Sequence, residues 1–317
     1  MALAYELGVS DSTLARYLDR YGIERSHAAA QSQWENIVAD TLAQFTSEPI
    51  ERRTRRVIAP LELDIWLPTL RVAVECHGHR WHSERSENDQ HAKTRHLEKY
   101  IACQKQNIKL FQIFDSEFYD PRSWEAWKNV ITTSLNVNTK YFARKLDIIT
   151  INKITADQFH HQHHIQGAAN LSCNSINIAL ENHGEIMSVM SIQRYFGRLE
   201  LVRYTVRGGV TIVGGGRRIL AHLKPMLTDD LWTMQDHRYA VGDTYQYLGF
   251  RRSHEVPPSY WYVESKFPHK IHNKRNFRRK TLNKHLPNFN PQMTEQQNMQ
   301  HNGYRIVWDA GYTAWVL

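Results

Sequence analysis

The sequence predicts a mixed α/β (α+β) chain built in several parts, and three observations predict it. Hydrophobic residues fill 41% of 317 positions, with 9 Trp and 15 Tyr, a load that a disordered chain does not carry. Helix-period stretches such as Ser32–Phe45 alternate with short strand-period runs such as Leu61–Leu67 and Arg71–Cys76. The length suits two medium domains, or one with appendages. The expected parts are a short helical unit over residues 1–27, a helix-and-strand domain over 28–137, and an α/β domain over 146–317 that ends in a basic tail. The stretch Asn136–Lys145 is the best boundary candidate, although no Pro or Gly marks it.

The N-terminal unit has helix-turn-helix spacing. Ala4 is small enough for two helices to cross closely, and Gly8, four positions on, suits a turn with positive φ. Val9, Leu14 and Leu18 would pack the pair. Ser10 can cap the second helix, which then presents Asp11, Ser12, Thr13 and Arg16 to a major groove. The pattern resembles the helix-turn-helix of bacterial and phage regulators; the alternative is an ordinary helical hairpin.

Composition bounds the partners. Lys and Arg number 40 against 32 Asp and Glu, a net charge of +8 that favours polyanions through counterion release. The 3 cysteines form no CxxC pair, which fits a reducing cytoplasm better than a disulfide framework. No apolar run approaches the roughly 20 residues of a membrane helix, and the first residues lack a signal-peptide stretch, so no membrane partner is expected.

In the second part, Leu61–Leu67 reads as a half-buried strand, Pro68-Thr69 as a turn, and Arg71–Cys76 as a second strand that Gly78 breaks. Asp64 and Glu75 thereby fall on adjacent strands of a hairpin and converge, as a hard divalent cation requires. His77, His79 and His82 follow, and an imidazole can act as a base near pH 7. Glu35 sits beside apolar positions in the upstream helix, where a lone Glu is usually solvated. Downstream, His96, Lys99 and Cys103 share one helical face before the strand Lys109–Phe114.

The run from Asp64 through Glu75, Trp81 and His82 to Glu84, with the later segment His96–Phe118, resembles the phage EDxHD homing endonucleases. These are related to the very-short-patch repair endonucleases of the PD-(D/E)xK-like fold. The likeness covers about residues 30–120 and implies a restriction-endonuclease-like mixed-sheet core. It also implies hydrolysis of double-stranded DNA with Mg2+ or Mn2+. By that resemblance Glu35 is the helical acid, Asp64 the metal-binding aspartate, and Glu75 the acid of the second strand. His82 is then the histidine at the scissile phosphate, and the carbonyl of Cys76 joins the metal. His96 stands where the repair enzymes carry another acid, so its role is left open. His77, Arg80, Trp81 and Lys99 are expected at the DNA, Trp81 either as a wedge between bases or as a core residue. The structural zinc of the repair enzymes is not carried over, because Cys76 and Cys103 miss its slots. A phage origin would place the chain in the cytoplasm of a bacterial host, and a homodimer is allowed.

In the third part, the strands Glu185–Ile192 and Leu199–Val206 lead to Gly214, Gly215 and Gly216 at the start of a helix, then to Tyr245-x-x-Leu-Gly-Phe250. This resembles the core of the GNAT acyltransferases. Thr211 occupies the place of that family's Gln or Arg, so no cofactor-binding residue is assigned, and a role in DNA targeting is expected. His160 and His164 share a helix face, with a solvated face favoured over a metal pair. Lys270–Lys284 holds 7 Lys or Arg and no acid, interrupted by Phe277 and Leu282. Arg275, Arg278, Arg279 and Lys280 are expected on phosphates. The sequence supports a site-directed DNA endonuclease. Its rivals are a mismatch-specific repair nuclease, separable by cleavage of mismatched duplexes, and an acyltransferase carrying a nuclease-like domain, separable by acetyl-coenzyme A binding.

Overall fold

The apolar alternation around Asp64 and Glu75 produces the expected hairpin. In the computed structural model, α1 (Gln33–Ala43) precedes β1 (Glu51–Thr54), β2 (Leu63–Leu67) and β3 (Val72–His77). The short α2 (His79–His82) and the long α3 (Gln90–Lys105) then lead to β4 (Lys109–Phe114). The sheet order is β1-β2-β3-β4, antiparallel except for the parallel pair β3–β4, in which Glu75 faces Gln112 and His77 faces Phe114. Helix α3 crosses between the two parallel strands, the connection that parallel pairing demands. It ends where Asn107 takes a positive φ of 51° and the Ile108 amide donates to the Cys103 carbonyl at 2.9 Å. Ile58, Leu63, Trp66, Ala73, Cys103, Ile108 and Leu110 form the core beneath this sheet.

The structure describes residues 13, 16, 17, 20, 21, 33–84, 90–239, 243–265, 270–279 and 281–317. The chain forms two compact units, Met1–Asp40 and Thr41–Leu317. In the first, Thr13, Arg16, Tyr17 and Arg20 are helical; Ser12 and the turn at Gly8 lie outside the described residues, and the expected helix-turn-helix lies there with them.

Beyond β4, Asp115–Tyr119 forms α4 and Pro121–Ser134 forms α5. Pro121 opens α5, where a missing N–H costs nothing, and the Asp120 carboxylate accepts from the Ser123 amide at 2.9 Å. Next come β5 (Thr139–Phe142), β6 (Asp147–Thr150), α6 (Lys153–His163), β7 (Ile176–Asn182), β8 (Glu185–Tyr195), β9 (Arg198–Val206) and β10 (Val210–Val213). They are followed by α7 (Gly215–Leu223), β11 (Leu231–Asp236), α8 (Asp243–Tyr247), β12 (Arg251–Val256), β13 (Tyr260–Glu264) and β14 (Ile271–Asn273). The last elements are α9 (Glu295–His301), β15 (Tyr304–Trp308) and β16 (Tyr312–Val316). A seven-stranded sheet has the order β12-β16-β11-β9-β8-β7-β6, and a three-stranded sheet the order β14-β13-β15. The boundary candidate Asn136–Lys145 is no free linker: β5 lies within it and pairs in parallel with β10.

Two sequence features find structural explanations here. His160 is fully buried and bonded to Thr205 Oγ1 at 2.7 Å and Ser191 Oγ at 2.8 Å, so the solvated face expected for it is wrong. The glycine turn is a packing device. Gly214 holds a φ of 78°, which favours glycine. A Cβ on Gly215 would lie 2.5 Å from Tyr204 Oη and 3.0 Å from Ile212 Cγ2, inside the core of the large sheet. Gly215→Ala should therefore lower stability by about 1–3 kcal/mol. A thermal melt checks this, and an unchanged Tm would show that the turn has room to spare.

Candidate metal and imidazole centre

Asp64 and Glu75 stand opposite each other, one residue beyond the Ile65–Val74 pair of the β2–β3 ladder. The Asp64 amide donates to Glu75 Oε1 at 3.1 Å, and Asp64 Oδ2 accepts from the Cys76 amide at 2.8 Å. Each carboxylate is thus fixed by the partner strand. Lys99 reaches from α3 to make a close ion pair with Glu75. Glu75 is almost wholly buried and Asp64 half-buried. Burial and the Asp64 charge push the Glu75 carboxyl up to about 8 against the pull of Lys99. Burial alone would lower the Lys99 ammonium, but the two carboxylates outweigh it and hold it above its usual range.

His77 at the end of β3, His82 at the end of α2 and His96 in α3 form a cluster, with one ring nitrogen of each within 4.8 Å of the others. The ring centroids of His77 lie 4.5 Å from His82 and 4.2 Å from His96. Hydrogen bonds set the tautomers. A carbonyl only accepts, so His96 Nδ1 donates to the Trp308 carbonyl at 2.8 Å, and a neutral ring keeps its lone pair on Nε2. His82 Nδ1, 3.1 Å from that Nε2, is then the donor between the two rings. His77 Nε2 donates to Gln112 Oε1 at 3.1 Å, while Gln112 Nε2 donates to the His96 carbonyl at 3.3 Å. His77 Nδ1 is buried with no hydrogen-bond partner among the described residues. Burial, reinforced by neighbouring His96 or Arg95, drives all three imidazoles well below their ordinary range, His96 to about 3. At neutral pH they are uncharged.

The other candidates fall in different places. Glu35 is buried in α1, on the face that carries Val38 and Ala39, and belongs to the first unit. His77, expected at the DNA, is buried inside the imidazole cluster. Lys99, also expected there, is engaged with Glu75. Arg80 and Trp81 are helical in α2, and their side chains lie outside the described residues. Thr13 is half-buried and Arg16 exposed in the first unit. Arg275, Arg278 and Arg279 are exposed, while Phe277 and Leu282 anchor their segment in a core with Tyr262, Met299 and Ile306; Lys280 is outside the described residues. Sequence reasoning missed Gln112 and Trp308. A Gln inside the apolar strand KLFQIF was a legible signal for the first. Trp308 acts on His96 through a backbone carbonyl, which no residue type announces. His79, grouped by the sequence with His77 and His82 as a possible base, is fully buried. Its amide donates to Asp115 Oδ2 at 3.0 Å, and its Nε2 lies 2.8 Å from Ser116 Oγ.

No protein-family model matches this sequence, and no curated protein matches it. Among solved structures, a tandem GNAT protein from the clavulanic acid biosynthesis pathway, without AcCoA, resembles part of the chain with a TM-score of 0.30 at 11% identity. The likeness covers 38% of this chain and 48% of that one, so the chain spans about half the neighbour's length. No helix among the described residues is long and apolar enough to cross a membrane.

The imidazoles carry a pH signature. Their folded values lie below the usual 6.5, so the folded state binds fewer protons than the unfolded chain. Their contribution is complete above pH 6.5 and is lost as pH falls towards the folded value of about 3 for His96. Glu75 acts oppositely, its contribution being lost as pH rises from 4.5 through about 8. His96→Gln should flatten the acid limb of a Tm-against-pH curve between pH 6.5 and about 3. An acid limb as steep as that of the wild type would contradict the assignment.

Proposed function

We propose that the protein is a site-directed DNA endonuclease that hydrolyses phosphodiester bonds with Mg2+ or Mn2+. The observation that carries this reading is the cross-strand pair Asp64 and Glu75, joined by Lys99 and flanked by neutral imidazoles. The donor set fits the cation: carboxylates are hard oxygen ligands, and a cation would displace the proton that burial keeps on Glu75 at neutral pH. Asp64 and Glu75 would hold the ion, with the Cys76 carbonyl as a third ligand. A bound cation supplies neutralisation of phosphate charge.

The chain's own residues supply the rest. Lys99 keeps Glu75 in place through its ion pair. His82 is the most exposed of the three imidazoles, and its Nδ1 proton points to His96. Its Nε2 is therefore the basic nitrogen, able to accept a proton from water. His96, fixed by Trp308, holds that ring in the working tautomer. The exposed Arg275, Arg278 and Arg279 suit a phosphate track, mounted in the same unit as the carboxylates.

Asp64→Asn should slow Mg2+-dependent cleavage of duplex DNA by at least ~100-fold, since it removes an ion ligand. Binding to DNA should stay within a few-fold of wild type, and near wild-type cutting would refute the assignment. Neutralising Arg275, Arg278 and Arg279 together should weaken binding to all sequences. The salt slope should flatten by about one unit for each phosphate that is no longer neutralised. An unchanged slope would make that run an ordinary solvated surface.

A further inference from the structure

We propose that His77, His82 and His96 form a second metal centre, a three-imidazole site for a transition-metal ion of the zinc class, distinct from the carboxylate pair. This goes beyond the nuclease reading and stands without it.

The ligand chemistry differs from that of Asp64 and Glu75. Imidazole nitrogen suits zinc, cobalt, nickel or copper, whereas magnesium prefers oxygen and water. Three histidines with an open fourth position form a recurring zinc arrangement. Here one nitrogen from each ring lies within 4.8 Å of the other two, and His82 and His96 already approach to 3.1 Å. Nitrogens bound at about 2.0–2.1 Å from a tetrahedral ion lie roughly 3.3–3.4 Å apart, so His82 and His96 already stand near ligand spacing and the remaining ring must close at most about 1.5 Å.

The surrounding hydrogen bonds prepare the donors. A metal-binding histidine almost always donates its other N–H to a carbonyl, carboxylate or water, which fixes the ring and its tautomer. His96 does so to the Trp308 carbonyl, leaving Nε2 for the ion. His77 does so to Gln112 Oε1, leaving Nδ1, and that buried nitrogen has no partner among the described residues. A buried polar atom without a partner is costly, and a metal ion would satisfy it. His82 is the adjustable member. Its Nδ1 proton now bridges to His96; an ion replaces that proton, which moves to Nε2 with no net release. A ring in that tautomer no longer accepts a proton at Nε2. The metal-filled trio and the proton-accepting His82 are thus alternative states of one cluster.

The test uses the full chain, stripped of metal by chelation, titrated with Co2+ and then competed with Zn2+. The wild type should bind one equivalent of Co2+ with the visible absorption of tetrahedral cobalt, bleached by Zn2+, and Zn2+ should raise its Tm. Asp64→Asn should bind as the wild type does, since it leaves the imidazoles intact. His82→Ala, chosen because His82 is the least buried of the three, should weaken Zn2+ binding by roughly 100-fold or more. His82→Gln, with a metal-free Tm matching wild type, guards against misfolding and should weaken binding likewise. The proposal is overturned if wild type binds no equivalent tighter than about 10 µM. It is also overturned if the His82 variants bind like wild type, or if Asp64→Asn abolishes binding. Cleavage enters none of these readouts, so the nuclease reading and the metal centre can fail separately.

Discussion

The hydrogen bond from His96 Nδ1 to the carbonyl of Trp308 spans 212 positions of sequence, and the arrangement of the site depends on it. It sets the His96 tautomer, which sets the direction of the His82 proton, which decides which nitrogen of His82 is basic. The carbonyl belongs to β15, a strand of the C-terminal three-stranded sheet. That strand is itself fastened to the site: the Glu84 amide donates to the Ile306 carbonyl at 2.8 Å, and Trp308 Nε1 donates to Glu84 Oε1 at 2.6 Å. Val307 packs with Phe114 and Val263. The imidazoles are therefore positioned by a part of the chain far from them in sequence. The β1–β4 sheet cannot be considered complete without the C-terminal strands.

A second contact of this kind covers the open edge of β4. An edge strand presents unpaired amides, and burying one without a partner is costly. The Gln112 amide donates to the Arg238 carbonyl at 2.8 Å, while the Arg238 guanidinium grips Glu117 with two bonds of 3.0 Å and faces Asp236 at 3.4 Å. Arg238 is nearly fully buried and lies against Phe114, Trp127 and Trp261. Burial lowers it, yet Glu117 and Asp236 hold its charge firmly in place. Gln112 is thus held at its amide by one neighbour while its side chain orients two histidines. A polar residue at this point of an apolar strand is the price of that arrangement.

Much of the local structure was legible in the sequence, because it follows from periodicity. The strands around Asp64 and Glu75, the helix carrying His96 and Lys99, and the break at Gly78 stand where alternation and breakers put them. The convergence of the two carboxylates was legible for the same reason: residues opposite each other in a hairpin share a face. The bond between His96 and Trp308 was not, because backbone carbonyls carry no residue signature and the separation in sequence is too large for any local pattern. The role of Lys99 was misleading for a related reason. A lysine on a helix suggests a phosphate contact, and only the fold reveals that an acid on a neighbouring strand takes its charge first.

The basic tail illustrates how apolar interruptions organise a charged run. Seven cations without an acid would repel one another in a free segment. Phe277 and Leu282 instead enter the core formed by Tyr262, Leu286, Met299 and Ile306. Burying such side chains contributes roughly 1.5–3 kcal/mol each, enough to hold a short irregular segment against modest charge repulsion. The arginines between these anchors are left facing solvent. Because Ile306 belongs both to this core and to the strand that receives the Glu84 amide, the exposed arginines and the imidazole cluster share one support. Strand β15 joins the two: its Ile306 side chain enters the core beneath the arginines, and its Trp308 carbonyl orients His96.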